Sequence, residues 1–174
     1  TGTREFHGLD FAVDARVLVP RPETEGLVDL ALGFLAPLAS PTVLDVGTGS
    51  GCIAIALAVK CPRAQITAVD VSEAALAVAR ANAQRHRVAE RIAFSQSDLL
   101  SFIVQRPSSF DLVCANLPYI PSYIARALPV SQHEPRLALD GGPDGLGLIR
   151  RLLADAPKVL APHGTVLLEI EDTK

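Results

Sequence analysis

The sequence predicts an α/β fold built on a doubly wound, mostly parallel β-sheet, and three observations support that prediction. From Thr42 onward, short runs of β-branched residues alternate with helical stretches, as expected of parallel strands joined by crossover helices. Hydrophobic residues make up 49% of the chain but aromatic residues only 5%, a composition that suits strands buried on both faces. At 174 residues, the chain has the length of one compact domain with a substantial core.

The first 40 residues precede the sheet and are predicted to form a separate N-terminal unit. Residues 5–19 alternate in the manner of a short hairpin, and Pro20-Arg21-Pro22 follows as a stiff extended segment. Glu23–Leu35 reads as an amphipathic helix with its acidic residues near the N-terminus. This unit is either a packing arm or a lid over the strand ends. As a lid, its candidate residues are Arg21, Glu23 and Thr24.

The sheet and its covering helices are predicted over residues 41–174. The expected strands are Thr42–Val46, 65–69, 92–95, Phe110–Ala115 and 164–170. The expected helices are Cys52–Lys60, 72–87 and 145–158. Ser72 is the predicted N-cap of the second of these helices, and Asp144 is placed to cap the third. Pro157 disfavours helical structure at the end of the third helix.

The last predicted strand would leave one edge of the sheet unpaired. Such an edge exposes backbone N–H and C=O groups and is an aggregation liability. We therefore expect further C-terminal strands that this sequence does not contain.

Composition argues against several classes of function. A net charge of −3 does not favour nucleic-acid binding, which depends on neutralising phosphates. No apolar run is long enough to span a bilayer and no secretory signal is visible, so we expect a cytoplasmic protein without a membrane segment. Cys52 and Cys114 lie in apolar stretches and are expected to be core residues, whereas Cys61 lacks a close pairing partner. The histidines are scattered, and no metal site is expected.

The most specific local signal is a glycine-rich turn between the first predicted strand of the sheet and its helix. Glycines allow the backbone to approach a ligand closely, and the free N–H groups at the helix N-terminus favour an anionic group. The candidate cofactor-binding residues of this turn are Gly47, Thr48, Gly49, Ser50 and Gly51. The alternative is an ordinary tight turn without a ligand.

Acidic residues after the next two strands favour an adenosine-containing ligand. Asp70 ends the second strand of the sheet, 19 residues after Gly51, where its carboxylate can accept hydrogen bonds from both ribose hydroxyls. Asp98 is placed to accept from an adenine amino group, and Leu99 to pack on the base; alternatively, Asp98 is a turn residue. The glycine spacing is G-x-G-x-G and not G-x-G-x-x-G, which argues against NAD.

The segment Asn116-Leu117-Pro118-Tyr119 follows the fourth strand and indicates chemistry at a planar amide or amino nitrogen. The lone pair of such a nitrogen is delocalised, so a site that methylates it must hold the NH₂ hydrogens and direct the lone pair. The Asn116 side-chain oxygen can accept one hydrogen and the Leu117 main-chain carbonyl the other. Pro118 stiffens the loop, and Tyr119 offers an aromatic face. A simple proline turn is the alternative.

Together these motifs resemble the HemK/PrmC family of protein-(glutamine-N5) methyltransferases, and the resemblance covers nearly the whole chain. The matching segments are Val19-Pro20-Arg21-Pro22-Glu23-Thr24-Glu25, residues 44–53, Glu134-Pro135, Ala138-Leu139, Gly141-Gly142 and Asp144-Gly145-Leu146. The resemblance implies a Rossmann-like class I methyltransferase that converts S-adenosylmethionine to S-adenosylhomocysteine. The implied substrate is the Gly-Gly-Gln glutamine of a peptide chain release factor. The implied roles are cofactor contact for the glycine turn, Asp70, Asp98, Leu99 and Asn116, and substrate contact for Asn116 to Tyr119.

The sequence departs from this family in two respects. The family usually has Asn-Pro-Pro-Tyr, whereas Leu117 occupies the second position here. The family's N-terminal helical domain, which helps to hold the release factor, is not in this sequence. Three alternatives stay open: an adenine-N6 methyltransferase of RNA or DNA, a non-catalytic cofactor-binding domain, and an NAD-dependent oxidoreductase. The first is considered because the rRNA adenine dimethyltransferases also carry Asn-Leu-Pro-Tyr. The specific release factor and the oligomeric state are not predicted.

Overall fold

The computed structural model describes residues 2–101, 109–127 and 134–170. Within these ranges the chain forms a two-stranded hairpin and a five-stranded sheet with helices packed against it. In chain order, the elements are β1 (Thr3–Phe6), β2 (Leu9–Ala12), α1 (Glu23–Leu35), β3 (Thr42–Val46), α2 (Cys52–Lys60), β4 (Gln65–Asp70), α3 (Glu73–Arg85), β5 (Ile92–Gln96), β6 (Phe110–Ala115), α4 (Ser122–Ala125), α5 (Gly147–Asp155) and β7 (Leu160–Leu168).

The large sheet confirms the predicted fold class. Its strand order is β5-β4-β3-β6-β7, and each neighbouring pair in the described chain is parallel. The chain runs outward from β3 to β5 and then returns to place β6 on the other side of β3. The order therefore reverses beside β3, and ligands of such sheets bind at the carboxyl ends of the strands near this reversal.

The sheet is covered on both faces because its central strands are apolar on both faces. Along β3, Val43 packs into one core cluster with Leu57 of α2, whereas Leu44 and Val46 pack into a second cluster with Leu152 of α5. Successive strand residues point to opposite faces, so a strand buried on both sides needs a continuous apolar run. The two clusters hold the central strands from both faces, and the candidate site lies at the carboxyl ends of these strands.

Most predicted boundaries agree with the structure, and the N-cap of α3 is confirmed. The Ser72 side chain accepts a hydrogen bond from the Ala75 backbone N–H at 3.2 Å, and Glu73 begins the helix. The strands β3 and β6 and the helices α1 and α2 have their predicted bounds. All three cysteines are buried and free, as expected for Cys52 and Cys114.

The N-terminal hairpin was predicted too long. It ends at Ala12 because the Asp14 carboxylate accepts from the Arg16 N–H at 2.9 Å and the Asp14 carbonyl accepts from the Val17 N–H at 3.2 Å, which turns the chain. The extended segment before α1 was also predicted too long. Pro22 already has helical angles of φ −58° and ψ −32° and serves as the N-cap of α1.

The last helix and the last strand also differ from the prediction. Helix α5 ends at Asp155 and a 3₁₀ turn follows over Ala156–Lys158, because Pro157 has no N–H to donate. Asp144 accepts from the Leu146 N–H at 3.1 Å, so it shapes the preceding loop and does not cap the helix itself. Strand β7 begins at Leu160 and not at 164. A register irregularity opposite Phe110 accommodates the early start at this edge position.

Among the described residues, no helix combines the length and the apolar character needed to cross a membrane. Residues 171–174, which fall within the predicted sheet unit, lie outside the described ranges.

Candidate active site

A cavity of about 340 Å³ opens at the carboxyl ends of the central strands. Its walls include the glycine-rich turn after β3, the loops after β4, β5 and β6, and the segment that leads into α1. The cavity brings together most of the predicted site residues, namely Arg21, Thr24, Gly47, Thr48, Gly49, Ser50, Asp70, Asp98, Leu99, Asn116, Leu117 and Pro118. The lining found among the described residues does not include Glu23, Gly51 or Tyr119.

The glycine-rich turn has the backbone conformation that only glycine adopts without strain. Gly47, Gly49 and Gly51 have φ of 74°, 56° and 83°. A Cβ on Gly51 would lie 3.1 Å from Ala79 Cβ and 3.3 Å from Ala79 Cα, so this glycine also permits α3 to approach the start of α2 closely. A Cβ on Gly47 would lie 2.9 Å from Leu117 Cδ2. Leu117, the departure from the family pattern, therefore packs directly on the turn.

Asp70 holds the turn in this shape from the end of β4. One carboxylate oxygen accepts from the Gly49 N–H at 2.9 Å, and the other accepts from the Ser72 N–H at 2.9 Å. Burial raises the pKa of Asp70, while these backbone hydrogen bonds oppose the rise. Each carboxylate oxygen has a second lone-pair direction, so the group can accept from a ligand while it orders the turn.

Asp98 and Leu99 both line the cavity, but the Asp98 carboxylate already has a charged partner. The Asp98 side chain is about half exposed and forms an ion pair with Arg151 at 2.7 Å. Leu99 has a positive φ of 51°, an uncommon conformation for a residue with a Cβ, and it lines the cavity. The predicted contacts of both residues with an adenine ring stay predictions.

The loop after β6 packs closely against Gly141 and Gly145, two glycines of the motifs that match the resembled family. A Cβ on Gly141 would lie 2.6 Å from the Pro118 carbonyl oxygen, and a Cβ on Gly145 would collide with the Tyr119 carbonyl. The Ile120 carbonyl accepts from the Gly141 N–H at 2.9 Å. The loop backbone is thus fixed by close contact on this side. Tyr119 itself packs partly buried against the second core cluster.

The segment before α1 reaches the cavity and is anchored there by Glu134. Arg21 donates to both carboxylate oxygens of Glu134, at 2.9 and 2.7 Å, and the Val19 N–H donates to the same group at 3.3 Å. Glu134 is 7% exposed whereas the Arg21 side chain is 40% exposed, so only the carboxylate side of this ion pair is buried. Arg21 and Thr24 contribute to the cavity wall, whereas Glu23 is exposed in the first turn of α1. The lid role predicted for these residues stays a prediction.

Asn82 supports the site, and sequence reasoning missed it. Its fully buried side chain bonds the N–H and the carbonyl of Ala12 and also donates to the Ser50 carbonyl at 2.9 Å. It therefore ties the hairpin to the glycine turn. The position of Asn82 between alanines on the inward face of α3 was the available signal, because a polar side chain on a buried helix face needs partners.

Asp45, also missed, lies under the turn in β3. It is fully buried, its Oδ2 accepts from Thr48 Oγ1 at 2.6 Å, and its Oδ1 has no hydrogen-bond partner among the described residues. Burial raises the pKa of Asp45 from 3.8 to about 6, and the negative charge of Asp70 adds to the rise. The folded protein therefore binds this proton more tightly than the unfolded chain does.

This raised pKa predicts how stability depends on pH. Between pH 3.8 and about 6, Asp45 takes up protons in the folded state but not in the unfolded state, so its contribution to stability is lost as pH rises. From pH 4 to pH 7, the wild type should lose roughly 1–3 kcal/mol more unfolding free energy than Asp45→Asn does. Urea denaturation of both proteins at the two pH values measures the difference. Parallel pH dependence of the two proteins would contradict the assignment, since all other carboxyls are shared.

The comparisons with known proteins agree with this geometry. Residues 39–172 match a family model described as a methyltransferase domain. The chain is 47% identical to a release factor glutamine methyltransferase of Moorella thermoacetica over 98% of its length, and 45% identical to one of Rhodopirellula baltica over 97%. These matches cover 60% and 59% of the relatives, so the chain spans about three fifths of their length.

A solved structure shares the fold. The chain superposes on a SAM-dependent methyltransferase from Agrobacterium tumefaciens with a TM-score of 0.65 and 18% identity. The superposition covers 95% of this chain and 51% of the other. At this identity, the comparison concerns the fold alone.

Proposed function

The chain belongs to the family of methyltransferase domains, and on that premise we propose that it methylates the side-chain amide nitrogen of a glutamine in a peptide chain release factor. Its relatives confirm the resemblance to the HemK/PrmC family that the motifs predicted. The observation that carries the proposal is the position of Asn116. Its amide lines the same cavity as the glycine turn and Asp70, so amide recognition and cofactor binding meet in one site.

The residues present fit S-adenosylmethionine. The turn has three glycines with positive φ, and a Cβ on Gly49 would approach only the Gly47 carbonyl, at 3.9 Å, so the turn offers an open cradle. Asp70 would bind the ribose hydroxyls, and Leu99 would pack on the base. When bound, the cofactor supplies an electrophilic methyl group attached to a positively charged sulfur.

The protein's part in the reaction is to hold the substrate amide. Asn116 Oδ1 and the Leu117 carbonyl would each accept one N–H of the glutamine side chain, which aligns the nitrogen lone pair with the methyl group. Gly141 and Gly145 lie against the Pro118 and Tyr119 backbone, which would hold in place the part of the loop that follows the Leu117 carbonyl. Fixed acceptors of this kind need no reorganisation during the reaction.

Mass spectrometry of a release factor incubated with this chain and S-adenosylmethionine tests the proposal. We expect a mass gain of one CH₂ located on the Gly-Gly-Gln glutamine. A release factor with glutamate at that position is the matched control and should gain nothing. Labelled methyl groups on the adenines of added RNA, with none on the release factor, would contradict the proposal and establish the adenine-N6 alternative.

A further inference from the structure

We infer that Thr24 and Glu169 are positioning residues that hold the Asn116 side-chain amide with its oxygen toward the cavity. This inference deepens the proposed function and rests on it. An asparagine amide is nearly symmetric in shape, yet its two ends are chemically opposite. Only the oxygen end can accept a hydrogen from a substrate NH₂ group, so a site that uses Asn116 must exclude the flipped orientation.

Three elements bring the three side chains together. Thr24 lies in the first turn of α1 and is 2% exposed, and its Oγ1 accepts from Asn116 Nδ2 at 3.0 Å. Glu169 follows β7, and its N–H donates to the Ala115 carbonyl at 3.0 Å, which places it beside the end of β6. The hydrogen-bonding groups that lower the pKa of the Glu169 carboxyl are the Thr24 hydroxyl and the Asn116 side chain.

The chemistry of this cluster permits one orientation of the amide. The Asn116 NH₂ group already donates to Thr24 Oγ1, which leaves the Thr24 hydroxyl proton to point elsewhere, and an ionised Glu169 carboxylate beside it can only accept. Both neighbours of Asn116 therefore require its NH₂ group. A flipped amide would place its oxygen against the carboxylate and its NH₂ against the substrate NH₂, with repulsion on both sides.

Glu169 is a partly buried carboxyl group whose charge is disfavoured by burial and supported by Thr24 and Asn116. Its carboxylate is partly buried, and its Oε2 is enclosed without a hydrogen-bond partner among the described residues. Burial raises the pKa of Glu169, and the carboxylate of Glu23 adds to the rise, whereas the hydrogen bonds from Thr24 and Asn116 lower it. An enclosed acceptor with unused capacity is unfavourable for stability alone. Its presence next to Asn116 is explained if it orients that amide.

Thr24→Val tests the inference because it removes the hydroxyl and keeps the shape of the side chain. We expect kcat on a Gly-Gly-Gln peptide to fall by about 10- to 100-fold, with a Kd for S-adenosylmethionine within about threefold of the wild type. Thr24→Ser keeps the hydroxyl and should restore most of the activity. Glu169→Gln should also lower kcat, because its amide nitrogen can donate where an acceptor is needed. Thermal unfolding of each variant verifies that it is folded.

The decisive control is a double variant. In an Asn116→Ala background, Thr24→Val should have no further effect on kcat, since its target is gone. An equal loss in both backgrounds would show that Thr24 acts independently and would overturn the inference. A merely structural contribution from Thr24 would lower stability in both backgrounds.

A second measurement does not depend on the reaction. In the wild type, nuclear Overhauser contacts should join the Asn116 side-chain NH₂ protons to the Thr24 methyl group. If these contacts are missing, the orientation is wrong whatever the substrate. If they are present but no glutamine is methylated, the proposed function fails while the orientation stands.

Discussion

Asp70→Ala is expected to weaken S-adenosylmethionine binding by about 100-fold, the cost of losing two charge-assisted hydrogen bonds. Two effects combine in this loss. The carboxylate that would accept from the ribose hydroxyls disappears, and the Gly49 N–H loses its partner at 2.9 Å, so the turn is no longer held in its binding shape. Isothermal titration of the cofactor into the two proteins measures the change.

Asp98→Ala is the matched control for this prediction. Asp98 lines the same cavity, but its carboxylate is about half exposed and already paired with Arg151. We expect its replacement to weaken cofactor binding by less than about tenfold, the value of one solvent-screened hydrogen bond. Wild-type affinity in Asp70→Ala would contradict the ribose assignment. A larger loss of affinity in Asp98→Ala than in Asp70→Ala would indicate that the principal cofactor contact lies at the end of β5.

The sheet could be predicted from the sequence because its strands are buried on both faces. Runs such as Thr42–Val46 and Phe110–Ala115 are apolar or β-branched apart from one aspartate in each, Asp45 and Asp111. The hairpin was predicted less well, since residues 13–19 keep the alternating pattern although Asp14 turns the chain. In a short exposed arm, one side-chain hydrogen bond outweighs the weak preference of an alternating pattern.

The site was predictable where one local segment carries the chemistry. The glycine turn and the Asn116 loop can each be recognised from a few consecutive residues. Glu169 and the partners of Asn82 could not be found in this way, because they lie on other elements and no local spacing connects them. Glu169, for example, meets Thr24 only after α1 and β7 have packed against the end of β6. Such contacts are consequences of the tertiary fold.

Asn116→Ala is expected to lower kcat for glutamine methylation by about 100- to 1000-fold, comparable to the loss of one oriented group that stabilises a transition state. Binding of S-adenosylmethionine should stay within about threefold of the wild type, because the turn and Asp70 remain intact. The variant keeps the Leu117 carbonyl as an acceptor, but one N–H of the substrate amide is released and the lone pair loses its direction. Single-turnover kinetics on a Gly-Gly-Gln peptide measure the change.

Asn82, a buried asparagine that supports this site, distinguishes catalysis from stability. Asn82→Ala leaves the Ala12 and Ser50 backbone groups without their partner, so it should lower the unfolding free energy by about 1–3 kcal/mol. Its effect on kcat below the melting temperature should be far smaller than that of Asn116→Ala. If Asn116→Ala turned over normally, the substrate amide would be held elsewhere, and the amide mechanism would be wrong. If both variants lost activity in proportion to stability, Asn116 would be a structural residue like Asn82.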